Sequence, residues 1–228
     1  MRYGPVRPYR TAAMKKIFSL LVISSLALAA TGYANEQETV DHCAKVMRDF
    51  RQMQEKRIPR HVLRNAKGLA IITVVKAGFI FSGKAGHGVV VSRTGHGWSG
   101  PSFVATGGAG FGLQAGAQAT DFIFVLNNND AVRAFSRDGN VTLGVDASVA
   151  AGPVGRNAEA AVTPTAAIYT YSRSKGLFAG VSAEGAVIGT QKDENAHYYG
   201  KPVRAIDILR GRVAPPPGAA HLRASLSR

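Results

Sequence analysis

Six bases at or beside sequence turns, Lys76, Lys84, Arg93, Arg156, Arg173 and Lys175, are the residues of this chain best suited to a chemical task. Clustered guanidinium and ammonium groups hold phosphate through charge-assisted hydrogen bonds. Trp98, Tyr169 and Tyr171 belong beside them, because their rings suit a water-to-lipid boundary. The chemistry implied is recognition of an anionic headgroup by a basic rim at one end of a closed sheet. Bases scattered for solubility are the alternative.

Other chemistries fail on context. Gly95-His96-Gly97-Trp98-Ser99-Gly100 satisfies the dinucleotide pattern, but Pro101 and a further strand follow where a helix should offer its N-terminus to phosphate. The same stretch falls one residue short of a nucleophile elbow, with Pro101 in place of the required glycine. The histidines at 42, 61, 87, 96, 197 and 221 show no ligand spacing, and His87 with His96 across a hairpin would still lack a third ligand. Asp121, Asp130, Asp138 and Asp146 are spread too evenly to pair as general acid and base. Neither catalysis nor a metal or organic cofactor is expected.

The elements that must position the bases lie in a chain of 228 residues with 46% hydrophobic and 18% charged residues, which suits one globular domain. Lys15-Lys16, the apolar run Ile17 to Ala30 and Gly32-Tyr33-Ala34 have the form of an export signal cleaved after Ala34, with Met14 a plausible true start. Removing residues 1–34 takes away five Lys or Arg and no acids. That leaves 23 bases against 14 acids, a net +9 where the whole chain has +14. A basic exported protein, periplasmic or envelope-associated, suits anionic lipid better than nucleic acid. With Cys43 as its single cysteine the chain forms no internal disulfide.

Val40, Cys43, Met47 and Phe50 mark the apolar stripe of a helix over residues 38–56, whose other face carries Lys45, Arg48, Arg51 and Arg57. That face is either solvated or turned toward a membrane. A short helix over residues 60–66 should follow Pro59. LAIITVV at 69–75 has the character of a strand buried on both faces. Residues 78–120 hold twelve of the 26 glycines, and residues 108–119 alternate glycine or glutamine with apolar residues. Glycine packs nothing, so a glycine-lined strand face implies close approach by another segment.

Short strands at 79–81, 88–92, 102–106 and 121–126, a helix after Asn128, a strand at 141–151, and a hairpin of 167–173 with 177–189 about Ser174-Lys175-Gly176 complete the core. A helical turn at 195–200 and a helix at 203–209 follow, and the Pro-rich basic segment 210–228 reads as a disordered tail. The fold class is α+β, mainly β: an antiparallel glycine-rich sheet closed into a barrel or sandwich, with N-terminal helices and short helices between strands.

Ile58-Pro59, Ala66 to Ile71, Lys76 to Phe79, Gly86 to Arg93, Trp98-Ser99 with Pro101, Thr120-Asp121 and Ala151 to Arg156 occur in the order found in the SYLF domain. Tyr169, Tyr171 to Val181 and Asn195 with Tyr198-Tyr199-Gly200 continue the resemblance, which spans residues 40–209 within a single domain at 35–209. It implies a non-enzymatic lipid-binding module. Eukaryotic members bind phosphoinositide membranes, a yeast-type branch also bundles actin, and bacterial members are mostly exported. The expected partner is an anionic phospholipid surface, or an envelope protein docked on the glycine-rich sheet. For an exported chain, actin is expected to be an unlikely partner.

Overall fold

Two long strands organise the molecule, and the shorter elements fill in around them. The computed structural model describes residues 36–53, 57–137, 139–143, 148–151, 166–180 and 187–227. Residues 1–34, expected to be an export signal, and Arg156 lie outside them. In chain order the elements are α1 (Glu36–Gln52), α2 (Arg60–Asn65), β1 (Gly68–Thr94), β2 (Gly97–Trp98), β3 (Ser102–Leu126), α3 (Asn129–Ser136), β4 (Asn140–Thr142), β5 (Val149–Ala151), β6 (Ile168–Gly180), β7 (Val187–Thr190), α4 (Lys192–Tyr199) and α5 (Ala205–Leu209). A 3-10 turn (Pro217–Ala219) then leads into α6 (Ala220–Ser227).

β1 and β3 pair antiparallel from Gly68 opposite Leu126 to Val90 opposite Ser102, with one shift of register between Phe79 and Phe81. The ribbon they form is folded on itself. The Arg93 amide donates to the Lys67 carbonyl at 2.8 Å, a Cβ on Gly68 would lie 2.9 Å from the Val91 oxygen, and one on Gly88 would collide with the Ile71 oxygen. The two ends of β1 therefore run side by side, and the midpoint of this fold falls at the register shift. β6 continues the sheet beyond residues 114–126 of β3, β7 beyond residues 104–106, and β5 joins β6 in parallel. The result is the expected α+β, mainly antiparallel architecture, a sheet curled into a half-barrel and flanked by helices.

Alternation along the strands gives the sheet two cores. One face sets Leu69, Ile71, Val89, Val91, Phe103, Ile123 and Val125 against the Val40, Cys43, Met47 and Phe50 stripe of α1. The other sets Ala70, Ile72, Val90, Val104 and Phe124 against Ala131, Ala134 and Phe135 of α3 and Leu209 of α5. The run at 69–75 is thus covered on both sides, as its β-branched composition requires. Asn128 caps α3 by accepting the Ala131 amide at 2.8 Å, and Gly200, at φ +67°, ends α4 in the left-handed conformation.

Several expected boundaries do not hold. The glycines within 78–94 and 107–116 sit inside continuous strands, because each long strand has a partner to satisfy its backbone across them. Ser174-Lys175-Gly176 is likewise no turn, since these residues pair with Thr120, Ala119 and Gln118 in the middle of β6. The span 141–151 divides between β4, which pairs with β7, and β5, which pairs with β6. The tail is ordered: α6 buries Leu222 and Leu226 in the α1 core. It is tied down by Gln37 Nε2 donating to the Gly218 carbonyl at 3.1 Å and by Arg223 Nε donating to the Trp98 carbonyl at 2.9 Å. Proline content alone misread a segment whose two leucines, four apart, make one buried helix stripe.

Candidate anion-binding groove

Arginines from four parts of the chain converge where α1 ends. The α1 helix turns Arg51 toward α6, the segment before Pro59 brings Arg57, α2 presents Arg60 and Arg64 one turn apart, and Arg93 reaches across from the end of β1. Together with Ile58, Leu63, Leu226 and Ser227 these five arginines line a groove of about 640 Å3. A smaller hollow of about 400 Å3 adjoins it on the far side of Arg51, lined by Arg48, Gln52, His221, Ala224 and Ser225.

The arginines fall into two groups. Arg51 and Arg93 are held by backbone: Arg51 Nη2 donates to the Leu226 carbonyl at 3.0 Å, and Arg93 donates to the carbonyls of Ala66 and Leu63 at 3.2 and 3.1 Å. Arg93 also stacks over Trp98, 4.5 Å from the ring centroid. Arg57, Arg60 and Arg64 have no ion pair with an acid among the described residues. Burial pushes the Arg51 guanidinium below its ordinary pKa, and its Nε is buried without a hydrogen-bond partner. A partly desolvated cation left without an acid is costly, and an anion in the groove offsets that cost. Planar guanidinium forks suit bidentate contact with phosphate oxygens.

Of the residues expected to form one basic rim, Arg93 alone lines this groove; Trp98 is buried in the core beneath it and meets it only through the Arg93 stack, so it offers no face to a lipid boundary. Lys76 and Lys84 face each other across the folded β1 and line a different cavity. Nine residues of strand separate Lys84 from Arg93, about 30 Å at the usual rise, so no single headgroup spans them. Arg173 has another role. Its Nη2 donates to Asp121 at 2.8 Å and to Asp49 at 2.9 Å, tying α1 to the sheet. Tyr171 is buried in the α1 core, and burial drives its phenol pKa well above the ordinary value. Lys175 pairs through its backbone with Ala119, and Arg156 is outside the described residues. The bases that build the groove were legible in part, since Arg48, Arg51 and Arg57 stood on the polar face of the first helix. The missing signal was the spacing Arg57, Arg60, Arg64 across Pro59.

His87 has partners that account for it. It meets Glu194 at 2.5 Å and the Thr39 hydroxyl at 3.1 Å, joining α4 to β1 and α1. His96 is in the exposed turn between β1 and β2, and no group of three metal-ligating side chains occurs among the described residues.

The model of the Ysc84 family, described as "Las17-binding protein actin regulator", matches residues 107–228, more than half of the chain. The chain belongs to the Ysc84 family. It is 54% identical over 165 residues to LAS seventeen-binding protein 3 of Saccharomyces cerevisiae, covering 70% of this chain and 36% of that protein. It is 50% identical to Protein YSC84 of the same yeast over 186 residues, covering 77% and 40%. The human SH3 domain-containing YSC84-like protein 1 is 42% identical over 197 residues, covering 83% and 58%. The chain thus spans between about a third and three fifths of the length of these Ysc84 relatives. Their names are those of binding and regulatory proteins. They also overturn the expectation that actin is an unlikely partner, because the Ysc84 family is itself described as "Las17-binding protein actin regulator" and one yeast relative is named LAS seventeen-binding protein 3.

Proposed function

We propose that this Ysc84-family domain is a non-enzymatic binding module that holds anionic phospholipid headgroups in its arginine groove. The observation that carries the reading is the set Arg57, Arg60 and Arg64, three cations with no acidic partner among the described residues, beside Arg51, whose Nε is buried without a hydrogen-bond partner. Leu63, half-buried, gives the same groove an apolar edge against which acyl chains or glycerol can rest. No helix among the described residues is long and apolar enough to cross a membrane.

Co-sedimentation with phosphoinositide-containing, phosphatidylserine and phosphatidylcholine vesicles tests it. Binding should favour the anionic vesicles and weaken as salt rises. The Arg60→Gln/Arg64→Gln pair should lower affinity by about 30-fold, the equivalent of roughly 1 kcal/mol for each charge near an anionic surface. Equal, weak binding to neutral and anionic vesicles would overturn the reading.

A protein partner of the Las17 or actin kind is the second reading, favoured by the family match. Actin co-sedimentation with the wild-type and doubly substituted chains separates the two. We further propose that the chain is exported, on the strength of Lys15-Lys16 and the apolar run to Ala30. The N-terminus of the mature protein should then be Asn35, and Edman sequencing that begins at Met1 or Met14 would refute it.

A further inference from the structure

The curl of the sheet encloses a cavity of about 300 Å3 on the face opposite α1, away from the arginine groove. Its walls grade from apolar to polar in step with the strand register. Ile72 stands opposite Phe122, Val74 opposite Thr120, and Lys76 opposite Gln118. At the inner end Phe122 and Phe124 stack with centroids 5.7 Å apart, and Ile188 of β7 closes the floor. At the outer end Lys84 comes in from the other limb of β1, its stem lying over Gly108, where a Cβ would sit 2.7 Å from Lys84 Cε. Four residues separate Ile72 from Lys76, about 13 Å of strand. The floor is hydrocarbon and the mouth carries two ammonium groups and an amide.

We propose that this cavity binds one single-chain amphiphile, its alkyl chain against Ile72, Phe122 and Phe124 and its anionic head at Lys76, Lys84 and Gln118. The volume stands at the lower end of small-molecule sites, about 300–1,000 Å3, which are apolar with a few convergent polar groups. Two acyl chains exceed what such a space and a single polar mouth accommodate. The site is separate from the headgroup groove and does not depend on it. A free fatty carboxylate and an anionic monoacyl phospholipid share the required chemistry.

Calorimetric titration of the full chain with decanoate, below its micellar concentration, tests the proposal, with lyso-phosphatidylglycerol as the second source. One equivalent of decanoate should bind the wild-type chain saturably, and one equivalent of lyso-phosphatidylglycerol should remain bound in the Arg60→Gln/Arg64→Gln chain, whose headgroup groove is weakened. Val74→Phe, which fills the cavity, should weaken binding at least tenfold. Lys84→Met should weaken decanoate but not the uncharged decyl maltoside, and Arg60→Gln/Arg64→Gln should leave decanoate binding unchanged. Methyl NMR shifts on decanoate addition should centre on Val74, Leu143 and Ile188, a readout that needs no variant to fold. Absence of saturable binding by both probes overturns the proposal, as does binding lost in the groove variant but kept in Val74→Phe. Because the vesicle assay reads the groove and decanoate reads the cavity, either reading can fail without the other.

Discussion

Arg173→Met is expected to cost about 3 kcal/mol of stability in urea unfolding while leaving vesicle binding by the folded protein intact. The side chain bridges two carboxylates with one nitrogen, at 2.9 Å from Asp49 and 2.8 Å from Asp121. Removing it strands Asp121, whose side chain is 8% exposed, beside Thr73 and His42. Breaking a buried ion pair from one side typically costs about 3–5 kcal/mol. The partial exposure of Asp49 and Arg173 sets the expectation at the lower end.

The pH dependence gives a second readout of the same network. Burial works to raise the Asp121 pKa and is outweighed by contacts from His42, Arg173 and Thr73, which hold the carboxyl well below the usual range. Asp49, against the same burial effect, is held low by Lys45 and Arg173. A carboxyl depressed in the folded state contributes stability that is present above its unfolded pKa of about 3.9 and is lost as pH falls through the folded value. Wild-type stability should therefore fall on acidification below about pH 5, and the Arg173→Met profile should be flatter there. A variant with unchanged stability but weakened anionic-vesicle binding would return Arg173 to the headgroup role that its place in the sequence suggested.

Arg173 shows where legibility stopped. Its residue type was plain, but only the register that sets it opposite Asp121, and the packing of α1 that brings up Asp49, turn a free base into a strut. Periodicity did report the local features: the stripe Val40, Cys43, Met47 and Phe50 is buried as its spacing requires, and Asn128 caps a helix. What composition misjudged was continuity. Glycine and Ser-Lys-Gly runs signal turns when a segment is considered by itself, yet β1, β3 and β6 run through them because the neighbouring strand supplies backbone partners on both sides of the one register shift. The groove was half visible for the same reason. Arg48 and Arg51 share a helix face in the sequence, whereas Arg93 meets Arg51 in the groove only because β1 folds back and delivers its far end to the end of α2.

That fold of β1 makes Gly88 the position least able to accept a side chain. A Cβ there would collide with the Ile71 carbonyl oxygen and lie 2.7 Å from the Ile72 Cα and 2.9 Å from the Ile71 carbonyl carbon. All three obstacles are backbone, so no rotamer change relieves them, and the two limbs of the strand would have to part. Overpacking by ordinary side chains costs about 1–3 kcal/mol; Gly88→Ala should exceed that range, and Gly88→Val should leave no cooperatively folded protein. Gly86 provides the internal comparison. A Cβ at Gly86 would meet the Val74 and Thr106 methyls, each at 2.7 Å, and the Thr73 carbonyl oxygen at 3.1 Å. Its tightest contacts are side-chain methyls and its one backbone contact is much looser than those at Gly88, so Gly86→Ala should lie within that range. Gly95, in the turn between β1 and β2, has nothing within 4 Å of a Cβ, and Gly95→Ala should change stability by less than about 0.5 kcal/mol. Urea midpoints for the three alanine variants test the ordering directly. If Gly88→Ala proves as mild as Gly95→Ala, the limbs of β1 do not lie against each other, and both the curled sheet and the cavity it encloses lose their basis.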